Sequence, residues 1–190
     1  MNIRPLRLPG LLVVEPRVFR DERGYFFEVW NRERFAAAGL PERFEQDNLS
    51  YSTAGVLRGL HYQYPTAQGK FLTVLRGEIF DVAVDIRLGS PTFGQWEGIT
   101  LSAENGRQLY IPEGFAHGFA VTGPEALLLY QCTAPYDPRS EGIVLWNDPD
   151  LGIAWPLHAP ILAAKDRAAP KLQAIPAERL PRFEWQAGGG

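Results

Sequence analysis

The chain has 190 residues, which is enough for one domain with a sizeable core, and 45% of them are hydrophobic. Its net charge of -3 excludes the broad positive field with which proteins attract nucleic acids or anionic membranes. Binding of phosphate groups would therefore depend on a few local Arg and Lys residues, and neither a nucleic acid nor a membrane is expected as a partner.

The N-terminal segment and the cysteine content bear on location. The apolar run of residues 1–12 is short and is broken by Pro5 and Pro9, so it predicts neither a signal peptide nor a membrane span. Cys132 is the single cysteine, which excludes an internal disulfide and suits a reducing compartment. We therefore expect a cytoplasmic protein.

The first elements along the chain are short strands and one helix. Residues 11–14 and 24–30 predict strands on either side of a polar turn. A helix is predicted over residues 32–38, because Asn31 can cap its start and Gly39 can end it. The order predicts two strands that precede a single short N-terminal helix.

Regular strand signals follow the helix and are separated by turn clusters rich in Gly, Pro, Asn and Ser. No fixed repeat and no alternation of strands with helices is present, which argues against a parallel α/β sheet. Within residues 79–86, Phe80, Val82, Val84 and Ile86 share one face, and Asp81, Ala83 and Asp85 share the other. The predicted strands cover residues 44–52, 56–63, 71–76, 79–86, 93–101, 107–111, 117–121 and 126–132.

This pattern predicts a mainly β protein, a barrel or jelly roll, formed by a single domain over residues 1–190. Prolines crowd the chain from Asp148 onward, so residues 148–190 are expected to form an irregular tail that wraps over the barrel. A short helical turn is predicted within this tail at residues 162–167, and disorder is predicted at residues 188–190.

Residues 106–117 resemble the second cupin motif, with a turn at Pro112 and Gly114 that directs His117 into the barrel. A metal-binding cupin also needs a pair of histidines on an earlier strand, and Gln63 takes the second of these positions after His61. The third histidine, His158, lies in the Pro-rich segment. We therefore expect no catalytic metal and no other cofactor.

His61 is a candidate general base because an imidazole titrates near pH ~6.5 and accepts protons at neutral pH. Lys70 follows it by nine residues and could stabilise an enolate, which together would describe proton transfer next to a ketone. Strict alternation places Arg58 and His61 on opposite faces of their strand, unless a bulge or twist at Gly59 brings both to the cavity.

Several segments, taken together and in order, closely resemble dTDP-4-dehydrorhamnose 3,5-epimerases, over roughly residues 3–170. That family consists of metal-free cupins that invert C3 and C5 of dTDP-4-keto-6-deoxyglucose to give dTDP-4-keto-rhamnose. The resemblance therefore implies a cupin-type jelly-roll barrel (a double-stranded β-helix) and an isomerase that acts on a sugar nucleotide. It is carried by residues 21–24, 46–48, 56–63, 68–70, 80–87, 90–94, 111–119 and 147–149.

The resemblance implies four catalytic residues. His61 would be the base, and Asp166 would orient it as an Asp–His dyad. Lys70 would stabilise the enolate. Tyr130 would deliver a proton from the opposite face, because removal and return of the proton on one face would restore the original centre.

The resemblance also implies the substrate contacts. Arg23 and Arg58 would hold the diphosphate, and Tyr136 would stack on the thymine. Arg23 would come from the partner subunit of a homodimer that exchanges its N-terminal strands, roughly residues 1–50. The other substrate-binding residues that the resemblance implies are Glu28, Gln46, Asp47, Asn48, Lys70, His117, Glu141 and Lys165.

Three other functions are compatible with parts of this pattern. A mono-epimerase would invert only C3 or only C5 of a related dTDP-keto-sugar, although Tyr130 favours double inversion. A non-catalytic cupin would bind a sugar nucleotide without needing a base and an opposed acid. A metal-dependent oxygenase would need the ligands that this chain lacks.

Overall fold

The computed structural model describes residues 1–183, and this part of the chain is mainly β, as predicted. Its strands are β1 (Asn2–Pro5), β2 (Leu12–Glu15), β3 (Phe19–Asp21), β4 (Gly24–Phe26), β5 (Gln46–Thr53), β6 (Leu57–Gln63), β7 (Lys70–Asp85), β8 (Trp96–Ser102), β9 (Gln108–Ile111), β10 (Phe115–Cys132) and β11 (Glu141–Ile143). Its helices are α1 (Arg32–Ala37), α2 (Ala164–Arg167) and the 3-10 helices Leu172–Ala174 and Ala177–Arg179.

A nine-stranded antiparallel sheet forms the body of the protein, and its topology fits the predicted jelly roll. Its main path runs β1-β2-β9-β7-β10-β6-β11, while β5 pairs with β10 and β8 pairs with β7. The two long strands β7 and β10 pair with each other along most of their length. The hairpin of β3 and β4 forms a separate two-stranded sheet.

Residues 71–76 and 79–86 were predicted as two strands, and this prediction is wrong because the single strand β7 covers residues 71–76 and 79–85 without a break. Gly77 has a φ of 77°, which turns the backbone while the strand continues. Residues 117–121 and 126–132 likewise belong to the single strand β10. The pairing of these two strands moves from Val121 opposite Ile79 to Ala126 opposite Gly77, so an irregularity replaces the expected turn.

The N-terminal region differs from the prediction mainly in its strands. The strand predicted over residues 24–30 ends at Phe26, and the strands β1, β3 and β11 were not predicted. Helix α1 is confirmed to within one residue, and the Asn31 side chain caps it by accepting a 3.1 Å hydrogen bond from the amide of Arg34.

Three hydrophobic clusters of buried residues pack on the sheet in residues 1–183, one of them around Phe35 of α1. The interior cluster includes Leu72, Ile79 and Leu101. A second cluster joins sheet residues such as Val84 to Leu180 in the C-terminal segment, so residues 148–183 cover part of the outer surface of the sheet.

The helical turn predicted at residues 162–167 is present as α2, whereas residues 188–190, for which disorder was predicted, lie outside the described part. Within residues 1–183, helices that could cross a membrane are absent.

Asp85, at the end of β7, is fully buried and organises the following turn. It accepts hydrogen bonds from Arg87 at 2.8 and 2.9 Å and from the hydroxyls of Ser90 and Thr92, each at 2.6 Å. Burial alone would raise the pKa of Asp85, but these donors outweigh it and lower the pKa below the usual 3.8. The ionised carboxylate therefore stabilises the native state above that pH.

We expect Asp85→Asn to lower the free energy of unfolding by about 3 kcal/mol at pH 7, because it leaves the partly buried Arg87 guanidinium without its charge partner. In the parent protein, this stabilisation is lost as the pH falls below 3.8, through the lowered native-state pKa of Asp85. Denaturant unfolding across this pH range measures both effects. Equal stabilities of the parent and the variant at pH 7 would contradict the assignment.

Candidate active site

A cavity of about 570 Å³ lies between the sheet and residues 161–166 of the C-terminal segment. A second space of about 300 Å³ shares five of its lining residues and adds five more, namely Gln46, Asn48, Tyr62, Gln63 and Gln68. Most of the predicted site residues therefore surround one continuous region. Those that line the larger cavity are Arg58, His61, Lys70, His117, Tyr130, Tyr136, Glu141, Lys165 and Asp166.

The centre of this site is an imidazole–carboxylate pair. His61 Nε2 lies 2.7 Å from Oδ1 of Asp166, and the other carboxylate oxygen accepts a 3.3 Å hydrogen bond from the amide of Gly59. Asp166 is buried, whereas the His61 side chain remains 28% exposed toward the cavity. Burial alone would raise the pKa of Asp166, but the hydrogen bond from His61 contributes to lowering it. Asp166 is therefore ionised and leaves His61 Nδ1 as the nitrogen available for chemistry.

A β-bulge brings Arg58 and His61 to the same cavity. Between them, Gly59 and Leu60 of β6 together oppose the single residue Gly118 of β10. Gly59 has a φ of 132°, and a Cβ atom there would lie 2.5 Å from the Cα of Gly118. The backbone thus requires glycine at this position, and the strict alternation that separated the two side chains does not hold.

Lys70 and Tyr130 lie on the neighbouring strands β7 and β10 and line both spaces. Burial lowers the pKa of Lys70, while Cys132 and Asp81 act in the opposite direction. Burial raises the pKa of the Tyr130 phenol above 10.0, so this hydroxyl holds its proton at neutral pH. The site therefore contains a protonated phenol, that of Tyr130, and an amine, that of Lys70, whose pKa is lowered by burial.

His117 has a carboxylate partner that the sequence analysis missed. Its Nε2 lies 2.8 Å from Oδ2 of Asp81, and both residues are buried. Burial lowers the pKa of His117, and Asp81 partly offsets that effect. A signal was present in the sequence, because Asp81 interrupts the apolar pattern of residues 79–86, but only the pairing of β7 with β10 shows that it faces His117.

Hydrogen bonds and an ion pair hold three further charged side chains that line the cavity. Arg58 donates to the Ser52 hydroxyl at 2.9 Å and to the carbonyl of Tyr51 at 3.0 Å, which orients its guanidinium. Lys165 of α2 forms a 2.6 Å ion pair with Glu141 of β11, and both side chains line the cavity. Charged groups of both signs therefore line this cavity.

Three predicted binding residues lie outside both spaces. Arg23, in the turn between β3 and β4, pairs with Asp21. Glu28 pairs with Arg34 of α1, and exposed Asp47 of β5 accepts a 3.2 Å hydrogen bond from the side chain of Gln131. The cavity of this chain therefore does not include Arg23, Glu28 or Asp47.

The positions that bind metal in other cupins make different contacts in this protein. Gln63 Nε2 donates to the carbonyl of Thr66, His61 pairs with Asp166, and His117 pairs with Asp81. His158 lines neither space. In residues 1–183, no group of three or more His, Cys, Asp or Glu side chains is placed to hold a metal ion.

An ionised carboxylate paired with an imidazole, with a lysine and a protonated tyrosine in the same cavity, is an arrangement typical of acid–base enzymes, and here an antiparallel β fold carries it. The family model described as dTDP-4-dehydrorhamnose 3,5-epimerase matches residues 5–174. The chain belongs to this family, and its activity is that of an isomerase, a dTDP-sugar epimerase.

Relatives and solved structures agree with this assignment. The dTDP-4-dehydrorhamnose 3,5-epimerase of Pseudomonas aeruginosa is 55% identical over 169 residues, which is 88% of this chain and 93% of the relative. The crystal structure of the dTDP-6-deoxy-D-glucose-3,5-epimerase of Legionella pneumophila in complex with dTDP-4-keto-L-rhamnose is 52% identical, with a TM-score of 0.93 over 96% of this chain and 98% of the other. A 3'-monoepimerase of Streptomyces bikiniensis is 40% identical, with a TM-score of 0.87 over 94% and 92%.

Proposed function

We propose that the chain inverts both C3 and C5 of dTDP-4-dehydro-6-deoxy-D-glucose and so produces dTDP-4-dehydro-L-rhamnose. Both carbons flank the C4 keto group, so loss of a proton from either one places the electron pair on the carbonyl oxygen as an enolate. The observation that carries this proposal is the His61–Asp166 pair in a cavity that also holds Lys70 and Tyr130. The family relationship supports the same reaction.

The first step assigns His61 as the base. Its Nδ1 takes the proton from the carbon next to the ketone, and the resulting imidazolium donates Nε2–H to the ionised Asp166 at 2.7 Å. The enolate oxygen carries the negative charge, and the Lys70 ammonium stabilises it. Fixed charges of this kind are worth roughly 3–4 kcal/mol in such transition states.

The second step assigns Tyr130 as the acid on the opposite face. Its hydroxyl gives a proton to the carbanion carbon while the electron pair returns from the enolate oxygen and re-forms the ketone. Solvent then exchanges with His61 and re-protonates Tyr130, so the same pair can act at the second carbon. His61 of β6 and Tyr130 of β10 line the same cavity, which supports their action on one bound substrate.

The binding contacts and assembly belong to the same proposal. Arg58 holds the diphosphate, and Tyr136 stacks on the thymine. The remaining contacts in this chain are Gln46, Asn48, His117, Glu141 and Lys165. Arg23, Glu28 and Asp47 serve a second copy in a homodimer, which fits their location outside the cavity and the exposed apolar side chains of the β3–β4 hairpin.

The proposed homodimer forms from single cupin domains of residues 1–190 that exchange N-terminal strands, with residues 148–190 as an irregular tail over the barrel. A cytoplasmic location fits the buried thiol of Cys132, the single cysteine of the chain. Sedimentation analysis tests the assembly, since a monomer at micromolar concentration would contradict it.

A mono-epimerase is the second candidate, because one structural relative is described as a 3'-monoepimerase. Proton NMR of the product from dTDP-4-keto-6-deoxyglucose separates the candidates. Inversion at both centres supports the proposal, and inversion at one centre supports the mono-epimerase. A bound but unchanged substrate would contradict both and leave a sugar-nucleotide-binding cupin.

Replacement of Asp166 by Asn is expected to lower kcat by about 10²- to 10³-fold, since the amide cannot stabilise the imidazolium of His61 by its charge. Steady-state kinetics over pH 5–9, with thermal unfolding to establish that the variant is folded, measure this effect. Asp150→Asn, a change at an exposed position outside both spaces, is the matched control. A kcat of Asp166→Asn within twofold of the parent protein would exclude the dyad.

A further inference from the structure

Three glutamine side chains converge on the backbone of residues 134–137, the loop that carries Tyr136. They come from separate parts of the chain: Gln46 from β5, Gln63 from β6 and Gln68 from the segment before β7. We call these three side chains the glutamine clamp. Its bonds run from Gln68 Nε2 to the Ala134 carbonyl (2.7 Å), from Gln63 Nε2 to the Pro135 carbonyl (3.3 Å), from the Tyr136 amide to Gln46 Oε1 (2.7 Å) and from the Asp137 amide to Gln63 Oε1 (2.9 Å).

The glutamine clamp therefore contacts every residue of this loop. Gln63 is its most buried member, with 6% of its surface exposed, and it uses both ends of its amide on either side of Tyr136. A third bond from Gln63 Nε2 to the Thr66 carbonyl at 2.8 Å fixes the orientation of the amide. Buried amides bonded at both ends hold their geometry firmly, because loss of any bond leaves an unsatisfied polar group.

Tyr136 itself needs such support. Its side chain is 52% exposed and lines both spaces of the site, so packing against other side chains holds it only in part. An aromatic ring that stacks on a planar base must be held at a defined position and tilt to contribute its full binding energy. The position of this ring is determined by the backbone of residues 134–137, which the glutamine clamp fixes.

We propose that Gln63 and Gln68 are positioning residues that hold Tyr136 in place for stacking on the nucleotide base of the substrate. The inference rests on the proposed function, since it takes Tyr136 as the residue that contacts the base. Gln63 thus has a use at the strand position where metal-binding cupins carry a histidine. Gln68 lies two residues before Lys70. Its bond to the Ala134 carbonyl therefore connects the loop of residues 134–137 to β7, the strand that carries the proposed enolate contact.

The test uses dTDP itself as the probe and titration calorimetry of the full chain. We expect Tyr136→Ala to weaken dTDP binding by roughly 10- to 100-fold, the range for loss of one base–aromatic stack. Gln63→Met, which keeps the length of the side chain but removes its bonds, should weaken binding by about 5- to 10-fold. Gln68→Met, at a less buried position, should act in the same direction. Gln173→Met, at an exposed position of the 3-10 helix Leu172–Ala174, is the matched control.

A double-mutant cycle decides whether Gln63 acts through Tyr136. In the Tyr136→Ala background, Gln63→Met should change dTDP affinity by less than about twofold, because the ring that it positions is absent. With the dTDP-keto-sugar, Gln63→Met should raise KM while kcat stays within about twofold of the parent protein. A general loss of folded protein would instead lower kcat and leave the Kd of the folded fraction unchanged.

Two results would overturn the inference. Equal losses of dTDP affinity from Gln63→Met in the presence and absence of the Tyr136 ring would show that Gln63 acts independently. Parent-like affinity of both Gln63→Met and Gln68→Met would show that the loop needs no such support. A parent-like affinity of Tyr136→Ala would overturn the base contact itself, which is a failure of the proposed function and is recognisable as such from that single variant.

Discussion

Replacement of His61 by alanine is expected to stop hydrogen exchange at both C3 and C5 and to reduce epimerisation by at least about 10³-fold. The reason is that the proposal has one base for both carbons, and general-base catalysis accounts for about 10²- to 10⁴-fold of such rates. Mass spectrometry of substrate and product recovered from D₂O measures exchange and turnover together. Asp166 remains in place in this variant, so any remaining exchange reports on other bases.

The matched control for this variant is His158→Ala. His158 is exposed and lies outside both spaces of the site, so its removal should leave the rate unchanged. Binding of dTDP by the His61 variant should stay within about threefold of the parent protein, because the base acts on the sugar and not on the nucleotide. Exchange at the parent rate in His61→Ala would show that His117 or another group is the base.

Tyr130→Phe should separate exchange from inversion. The substitution removes only the phenol oxygen, so His61 can still take a proton and return one from solvent to the same face. We expect the rate of product formation to fall by about 10²-fold, while the rate of deuterium incorporation into recovered substrate falls by less than about tenfold. The ratio of these two rates, followed by mass spectrometry and product NMR, is the measurement.

Tyr64→Phe is the control for Tyr130→Phe, since Tyr64 packs against the second hydrophobic cluster and not in either space of the site. Both variants should unfold at temperatures close to that of the parent protein. Equal losses of exchange and inversion in Tyr130→Phe would contradict its role as the opposed acid and would instead indicate a part in binding or in the first proton transfer.

Much of the β architecture was predictable because apolar alternation and turn residues mark where strands run. What the sequence did not show is where a strand bends without ending. Gly77 was read as part of a break, yet its positive φ keeps β7 continuous. The short strand β11 has three residues and depends for its pairing on β6, so its own composition carries little signal.

The sequence predicted the residues that line the cavity better than it predicted the residues to which they are hydrogen-bonded. The family resemblance indicated His61 and Asp166, which are 105 positions apart, and the structure places them in contact. The pairing of Asp81 with His117 depends on the register of two long strands, which a single sequence does not encode in a readable form. The bonds of Gln63 to a distant loop escaped prediction for the same reason.

The central claim is that the intact protein breaks and re-forms two C–H bonds next to the C4 ketone. The most direct test is to incubate it with dTDP-4-keto-6-deoxyglucose in D₂O, trap the product with a reductase and count deuterium by mass spectrometry. Our account predicts one deuterium at C3 and one at C5 of an inverted product. Product that carries no deuterium at either carbon would contradict it.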